Sequence, residues 1–365
     1  MKQVIEKEPQ KHYMEQKNRE MVDILKAIGI VGIIIGHADV ALPFCNIPLA
    51  PFVYLYHLMI FFFTAGFCFN EEKYKNHIEL YFGRRIKSLM PRYFAYNLVF
   101  TLLHNTLLRM GILPAGTDYY TFDRILESCI SGALLTTEEK MLGPFWFISI
   151  LLIASVFFGL VFTFSQRFKH SDAVLIIFGL FFAVLGLYIN HRGMWLSYHM
   201  QTSLIAVPVM ILGWFARKHF YKIERFFDWK MCIISAILMI TFIRCGGAVE
   251  LSENRTGFYA FYPITVIGIS FCISLARLLM RLPDLLRKGV SFIGRNSFDY
   301  MALHLVFFKI IDYVYARIKN DPVEVISKYP HSYQLNFIYP IVSIAVISLL
   351  LLLCKRARKE IKACR

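Results

Sequence analysis

Long apolar runs alternate with short polar segments along the whole chain. Each run is about 17–25 residues, the length at which an α-helix crosses a ~30 Å hydrocarbon core. The pattern predicts ten spans, near 21–42, 50–69, 93–110, 143–164, 173–190, 199–215, 231–247, 258–276, 296–316 and 333–354. Only a short connection at 43–49 separates the first two, so they are expected to pack as an antiparallel hairpin. The longest connections, 70–92 and 111–142, are too short to hold an independent domain. The expectation is an all-α, polytopic membrane helix bundle with both termini cytoplasmic. Residues 1–20 form a polar tail, 21–354 the transmembrane domain and 355–365 a basic tail. The pattern is weakest at 188–199, which is polar and aromatic, and at 299–312, which contains Asp299, His304, Lys309 and Asp312.

Composition reinforces this reading. With 57% hydrophobic residues, 34 Phe and 20 Tyr, the chain has too little polar side chain to cover a soluble domain. The polar segment Met1 to Glu20 is followed by an apolar run without a small-residue cleavage site, so that run is expected to remain as a span rather than act as a signal. The net charge of +15 raises the question of nucleic acid. The Lys and Arg residues concentrate, however, in the segments that alternate onto the N-terminal side, as the positive-inside rule requires. The basicity is topological, and no nucleic-acid partner is expected. The eight cysteines include no CxxC pair, so neither a zinc site nor a disulfide framework is indicated.

Charged and imidazole groups at membrane depth are costly and need a reason to be there. In the first span, DILKAIGIVGIIIGHADV, Lys26 and His37 are eleven residues apart. That spacing returns to within about 20° of the starting direction, roughly 16 Å along the axis. Lys26, Ile30, Ile33 and His37 therefore share a face, with a cation at one end and an imidazole at the other. A competing reading has Lys26 snorkelling to the headgroups and pairing with Asp23. Gly32 and Gly36 form a GxxxG step that permits close helix approach. The second span opens YHLMIFFFTAGFCF, which places His57 at a depth similar to that of His37. Two neutral imidazoles at one depth suit proton handling, the alternative for His57 being an interfacial ring bonded to backbone. The segment FGRRIKSLMPRYF groups Arg84, Arg85, Lys87 and Arg92, which could bind phosphate or simply face anionic lipid. Gly143, Pro144 and Trp146 fit an interfacial aromatic belt. In GRNSFDYMALHLVFF, His304 lies deep, with Asp299 and Tyr300 placed to orient it. No GxSxG, P-loop, HExxH or dinucleotide fingerprint occurs.

Taken together, DILKAIGIVGIIIGH at 23–37, HLMIFFFTAGF at 57–67, RRIKSLMPRY at 84–93, GPFWFISILL at 143–152 and IGRNSFDYMALH at 293–304 resemble, in order, the acyltransferase 3 family of membrane acyltransferases. AVPVMILGWFARK at 206–218 resembles the family's late-middle span. The nearest branch is the short, fucose 4-O-acetylase-like one. The resemblance implies an O-acetyltransferase of the bacterial plasma membrane. It would move acetyl from cytoplasmic acetyl-CoA, a donor substrate rather than a resident cofactor, to a hydroxyl of a cell-surface carbohydrate or lipid-linked sugar. It places the family's invariant histidine on His37. The expected mechanism has His37 as general base on the acceptor hydroxyl, with His57 or His304 positioning or polarising the reacting groups. Lys26 stands where many members have Arg, which keeps the charge and loses the planar fork. Arg84 and Arg85 match the family's paired arginines and are implied to hold the donor. Met59, where Pro is common, and Thr64-Ala65 before Gly66 depart from the pattern. The alternative from another class is a transporter or flippase, which ten spans with polar midplane residues also suit.

Overall fold

The computed structural model describes residues 7–42, 47–114, 116–136, 139–253 and 255–363. Apart from one two-residue antiparallel pair, β1 (Ala41–Leu42) with β2 (Ile47–Pro48), their regular structure is helical. The elements in order are α1 (Lys7–His37), α2 (Ala50–Tyr54), α3 (Met59–Phe67), α4 (Glu71–Tyr74), α5 (Ile78–Arg109), α6 (Phe122–Ala133) and α7 (Trp146–Ser165). They continue with α8 (Ser171–His191), α9 (Met200–Ile223), α10 (Trp229–Arg244), α11 (Phe261–Leu279), α12 (Asp284–Arg295), α13 (Ser297–Lys319) and α14 (Ile338–Ala363). Among the described residues, six segments are long and apolar enough to cross a membrane: Ala50–Phe67, Lys140–Ser165, Ser171–His191, Ser197–Phe226, Phe261–Leu279 and Ile338–Ile361. The other four predicted spans fall on α1, α5, α10 and α13. α10 has only 16 residues, while α1, α5 and α13 carry charged residues within the helix.

The polar segment from Lys7 to Glu20 is helical and continuous with the rest of α1. Its Glu, Lys, Gln, Met and Arg residues are strong helix formers, so the helix need not stop where the apolar run begins. The basic C-terminal stretch continues α14 in the same way as far as Ala363.

Glycine sets how closely the helices approach. The first-span GxxxG step faces α2 and α3: a Cβ on Gly32 would lie 3.1 Å from the Cβ of His57, and one on Gly36 would strike the Tyr54 ring. One turn earlier, a Cβ on Gly29 would lie 2.6 Å from Ile60 Cγ2. The crossing of α3 with the largely buried α9 is tighter still. A Cβ on Gly66 would collide with the Met210 carbonyl, and one on Gly213 with the Phe63 carbonyl, so backbone meets backbone on both sides. At the far end of α1, Gly294 lets α12 seat against the Asp23 carbonyl.

The charges that interrupt the predicted ninth span are neutralised within the protein. Lys309 and Asp312 are fully buried and 3.5 Å apart. Lys309 Nζ donates to the carbonyls of Ile326 (2.6 Å) and Lys328. Asp312 accepts from the Ser332 backbone N–H at 2.8 Å and from the Tyr339 hydroxyl. The pair thereby fastens the 320–332 connection across α13 and α14, and its desolvation is offset by four further hydrogen bonds. Asp299 accepts from the Tyr96 hydroxyl at 3.0 Å and lies 3.8 Å from Arg92.

The α3–α9 crossing yields a test. Gly213→Ala is expected to cost about 1–3 kcal/mol or more, because the obstacle is backbone and cannot rotate away. Gly289→Ala, in α12 with open space around it, is expected to be neutral or slightly stabilising. Thermal unfolding of the two variants in detergent checks this, with the apparent Tm falling only in the first.

Candidate active site

Of the side chains singled out in the sequence, Lys26, Arg85 and Arg92 border one cavity and His37 and His57 an adjoining one, at the two ends of the α1 face. Towards the Lys26 end is a cavity of about 190 Å³ bordered by Lys26, Arg85, Arg92 and Arg295, with Ser88 and Ser297 between them. Among the described residues, no carboxylate borders it. Asp23 and Asp299 stand behind, 3.7 Å from Arg295 and 3.8 Å from Arg92. The Arg85 guanidinium is fixed by two hydrogen bonds from Nε and Nη2 to Ser155 Oγ, at 3.0 and 2.9 Å. A cluster of guanidinium and ammonium groups held with so few counter-charges favours an anion, and guanidinium forks match phosphate oxygens.

Arg84 and Arg85 part company here. Successive helical residues diverge by about 100°, and Arg84 is exposed and donates to the Tyr74 hydroxyl at 3.2 Å. The place expected for Arg84 beside Arg85 is taken instead by Lys26, Arg92 and Arg295. Arg295 sits in the IGRNSFDY block but gave no sequence signal of its own, because only the packing of α12 on α1 brings it to Lys26.

At the His37 end is a smaller chamber of about 70 Å³, bordered by His37, His57, Tyr54, Glu250 and the apolar residues Ile33, Leu58, Pro144, Trp146, Phe147 and Met301. The shared face expected for α1 is thus present: Lys26 and Ile30 border the first cavity, Ile33 and His37 the second. The His37 and His304 rings are 5.3 Å apart, tilted by 44°. His57 lies against the Tyr54 ring at 4.9 Å, and the Tyr54 hydroxyl donates to the Gly36 carbonyl at 3.4 Å.

Hydrogen bonding assigns tautomers to two of the three imidazoles. His304 Nδ1 is 3.0 Å from the Tyr300 carbonyl, and His57 Nδ1 is 3.0 Å from the Val53 carbonyl. A carbonyl oxygen only accepts, so Nδ1 carries the proton in each ring, and in the neutral ring Nε2 is the lone-pair nitrogen. His304 Nε2 is buried and has no hydrogen-bond partner among the described residues. The backbone carbonyl of Tyr300 therefore orients His304; the carboxylate of Asp299 is engaged by Tyr96 and Arg92. The chamber is bordered by imidazoles from α1 and the α2–α3 turn, with His304 of α13 packed against the His37 ring.

Tertiary packing adds further features to the site. Glu250, in the 248–257 connection, is held by paired backbone hydrogen bonds with Arg255 (2.6 and 2.8 Å) and brings a carboxylate to the histidine chamber. Trp146 borders both this chamber and a third, far larger cavity of about 1100 Å³. That cavity holds a buried pair, His104 Nδ1 with Glu139 Oε2 at 3.1 Å, beneath a Tyr120 ring stacked at 3.4 Å and 7° on the imidazole. Burial, with the Glu139 charge adding to it, pushes the Tyr120 phenol up to about 12, so this hydroxyl keeps its proton across the physiological range.

A family model described as an acyltransferase domain matches residues 20–355. The chain belongs to the acyltransferase 3 family. As an acyltransferase 3 protein with several membrane-crossing helices, it is a multi-pass membrane acyltransferase. Neither the curated proteins nor the solved structures contain a match to it.

The cation cavity yields a direct test on this acyltransferase. Pyrophosphate is expected to bind, and Arg85→Ala to weaken binding by about tenfold or more, the worth of a charge-assisted hydrogen bond. Arg84→Ala is expected to change it by about twofold at most, as for a solvated cation. Calorimetric titration of the purified protein with pyrophosphate separates the two.

Proposed function

We propose that this acyltransferase moves an acetyl group from acetyl-CoA to a hydroxyl of a cell-surface carbohydrate or lipid-linked sugar. It would do so in a bacterial plasma membrane, crossing it ten times with both termini in the cytoplasm. The observation that carries the reading is the stacking of three cavities in series. The cation cavity meets the histidine chamber at Phe147 and Met301, which border both. The histidine chamber meets the 1100 Å³ cavity at Trp146. With the basic segments on the cytoplasmic side, the first opens towards the donor and the last towards the cell exterior.

In this mechanism Lys26, Arg85, Arg92 and Arg295 hold donor phosphates, and the thioester passes the Phe147–Met301 boundary. The acceptor hydroxyl oxygen attacks the thioester carbonyl carbon while His37 takes the hydroxyl proton. The C–O bond forms, the C–S bond breaks, and the proton passes from His37 to the departing CoA sulfur. His304 and His57, each presenting Nε2, hold the reacting hydroxyl or polarise its approach. No permanently bound cofactor is required. The wide cavity suits a sugar: Tyr120, Trp146, Tyr198 and Tyr329 supply aromatic surface, and Asp118, Thr136 and Glu139 supply polar groups. These features fit the fucose 4-O-acetylase-like branch, whose acceptors are sugars.

The test is transfer of labelled acetyl from acetyl-CoA in membranes containing the protein and native surface glycans. Label is expected in a base-labile ester on carbohydrate. His37→Ala is expected to lower it about 10²–10⁴-fold, the range for losing a general base, with insertion unchanged. Label that persists in the variant sinks the assignment of His37. Substrate crossing the membrane without a covalent product would favour the flippase reading.

A further inference from the structure

The sequence leaves the acyl group open between acetyl and something longer such as succinyl. We infer that Ile33, Leu58, Phe147 and Met301 form a sieve that restricts the reaction to short, uncharged acyl groups. The inference rests on the acyl-CoA reading above and deepens it.

Size comes first. The histidine chamber has about 70 Å³, whereas a water molecule's share of liquid volume is about 30 Å³. A two-carbon acetyl fits beside His37; a four-carbon chain needs the walls to move. Those walls are already packed, with Ile33, Phe147 and Met301 each 3% exposed and Leu58 8%. Phe147 is wedged between the edges of Phe61 and Phe62, at centroid distances of 5.5 and 5.3 Å. Ile33 sits one turn before His37 on α1, where the glycine contacts hold the helix against α2 and α3. Packed interiors resist enlargement even by a methylene. Met301 is the one unbranched wall residue and the one able to yield most readily.

Charge comes second. Glu250 borders the same chamber. A succinyl group would carry its own carboxylate into an apolar pocket beside an existing one, so both desolvation and like-charge repulsion oppose it. The cations lie on the other side of the Phe147–Met301 boundary and hold the donor phosphates, so none of them borders the chamber to compensate.

Membranes containing the full chain and native surface glycans, supplied with labelled acetyl-, propionyl-, butyryl- or succinyl-CoA, provide the test. Ester formation is expected from acetyl, with kcat/KM falling about tenfold or more for each added methylene, the usual discrimination of an apolar pocket. Succinyl is expected to fall further than butyryl. Met301→Ala, and independently Ile33→Ala, are expected to raise the butyryl-to-acetyl ratio by about tenfold while leaving succinyl poor. Two variants are specified so that failure of one to insert still leaves a measurement. Comparable use of butyryl or succinyl by the unaltered protein, or a ratio unmoved in an inserted variant, overturns the sieve and leaves the acyltransferase reading standing. No ester from any of the four donors overturns the donor reading itself, and the sieve with it.

Discussion

The site depends on how near α1 can come to its neighbours. Helices normally pack with axes about 8–10 Å apart, and side chains fill the space between. Gly29, Gly32 and Gly36 remove those side chains from the face that meets α2 and α3. The His57 Cβ is thereby brought against the α1 backbone at Gly32, one turn before His37. The same helix reaches α13 on another side, where the His37 and His304 rings lie 5.3 Å apart. Larger residues at the glycines would separate the three imidazoles, and the chamber would no longer match a small reacting group. The chemistry thus rests on atoms that are absent from the α1 surface.

A second constraint follows from the surroundings. Polar groups at membrane depth must be satisfied inside the protein, and the molecule does this unevenly. Lys309 and Asp312 are enclosed in a network of hydrogen bonds that leaves neither group idle. The histidine site is left incomplete by comparison: each Nδ1 of His57 and His304 is anchored to the carbonyl four residues earlier, and His304 Nε2 is left without a partner. A fully satisfied network stabilises a fold. An imidazole fixed at one nitrogen and open at the other is instead oriented for a ligand. The contrast distinguishes two polar clusters on one helix that the sequence presents alike.

Local periodicity made part of this legible. The alignment of Lys26 with His37, the GxxxG step and the depth shared by His37 and His57 all follow from helical geometry within one helix or one short hairpin. What could not be read were relations set by tertiary packing. Arg84 and Arg85 look equivalent in sequence, yet one helical step turns Arg84 to Tyr74 and Arg85 to Ser155. Arg295 joins Lys26 only because α12 seats on α1 at Gly294. Glu250 comes from a connection with no periodicity, and His104 finds Glu139 across 35 residues. Nearness along the helix predicts that Asp299 orients His304. A side chain at that position points away around the helix, and the Tyr300 backbone does the orienting.

The same geometry bears on group transfer against transport. A transported glycolipid must pass every constriction whole. Between the cation cavity and the large cavity lies a chamber of about 70 Å³ that shares Phe147 and Met301 with the first and Trp146 with the second. Widening it to the size of a sugar means parting α1 from α2 and α3, or moving the 143–147 segment off α13. The first is resisted along three glycine contacts, and α3 is further pinned to α9 by reciprocal backbone contacts at Gly66 and Gly213. Group transfer makes no such demand. A donor and an acceptor need bring only a thioester and one hydroxyl into the chamber, and only the acyl group passes from one to the other. A narrow chamber between two wider cavities, with imidazoles at the constriction, suits a reaction in which the smallest piece travels.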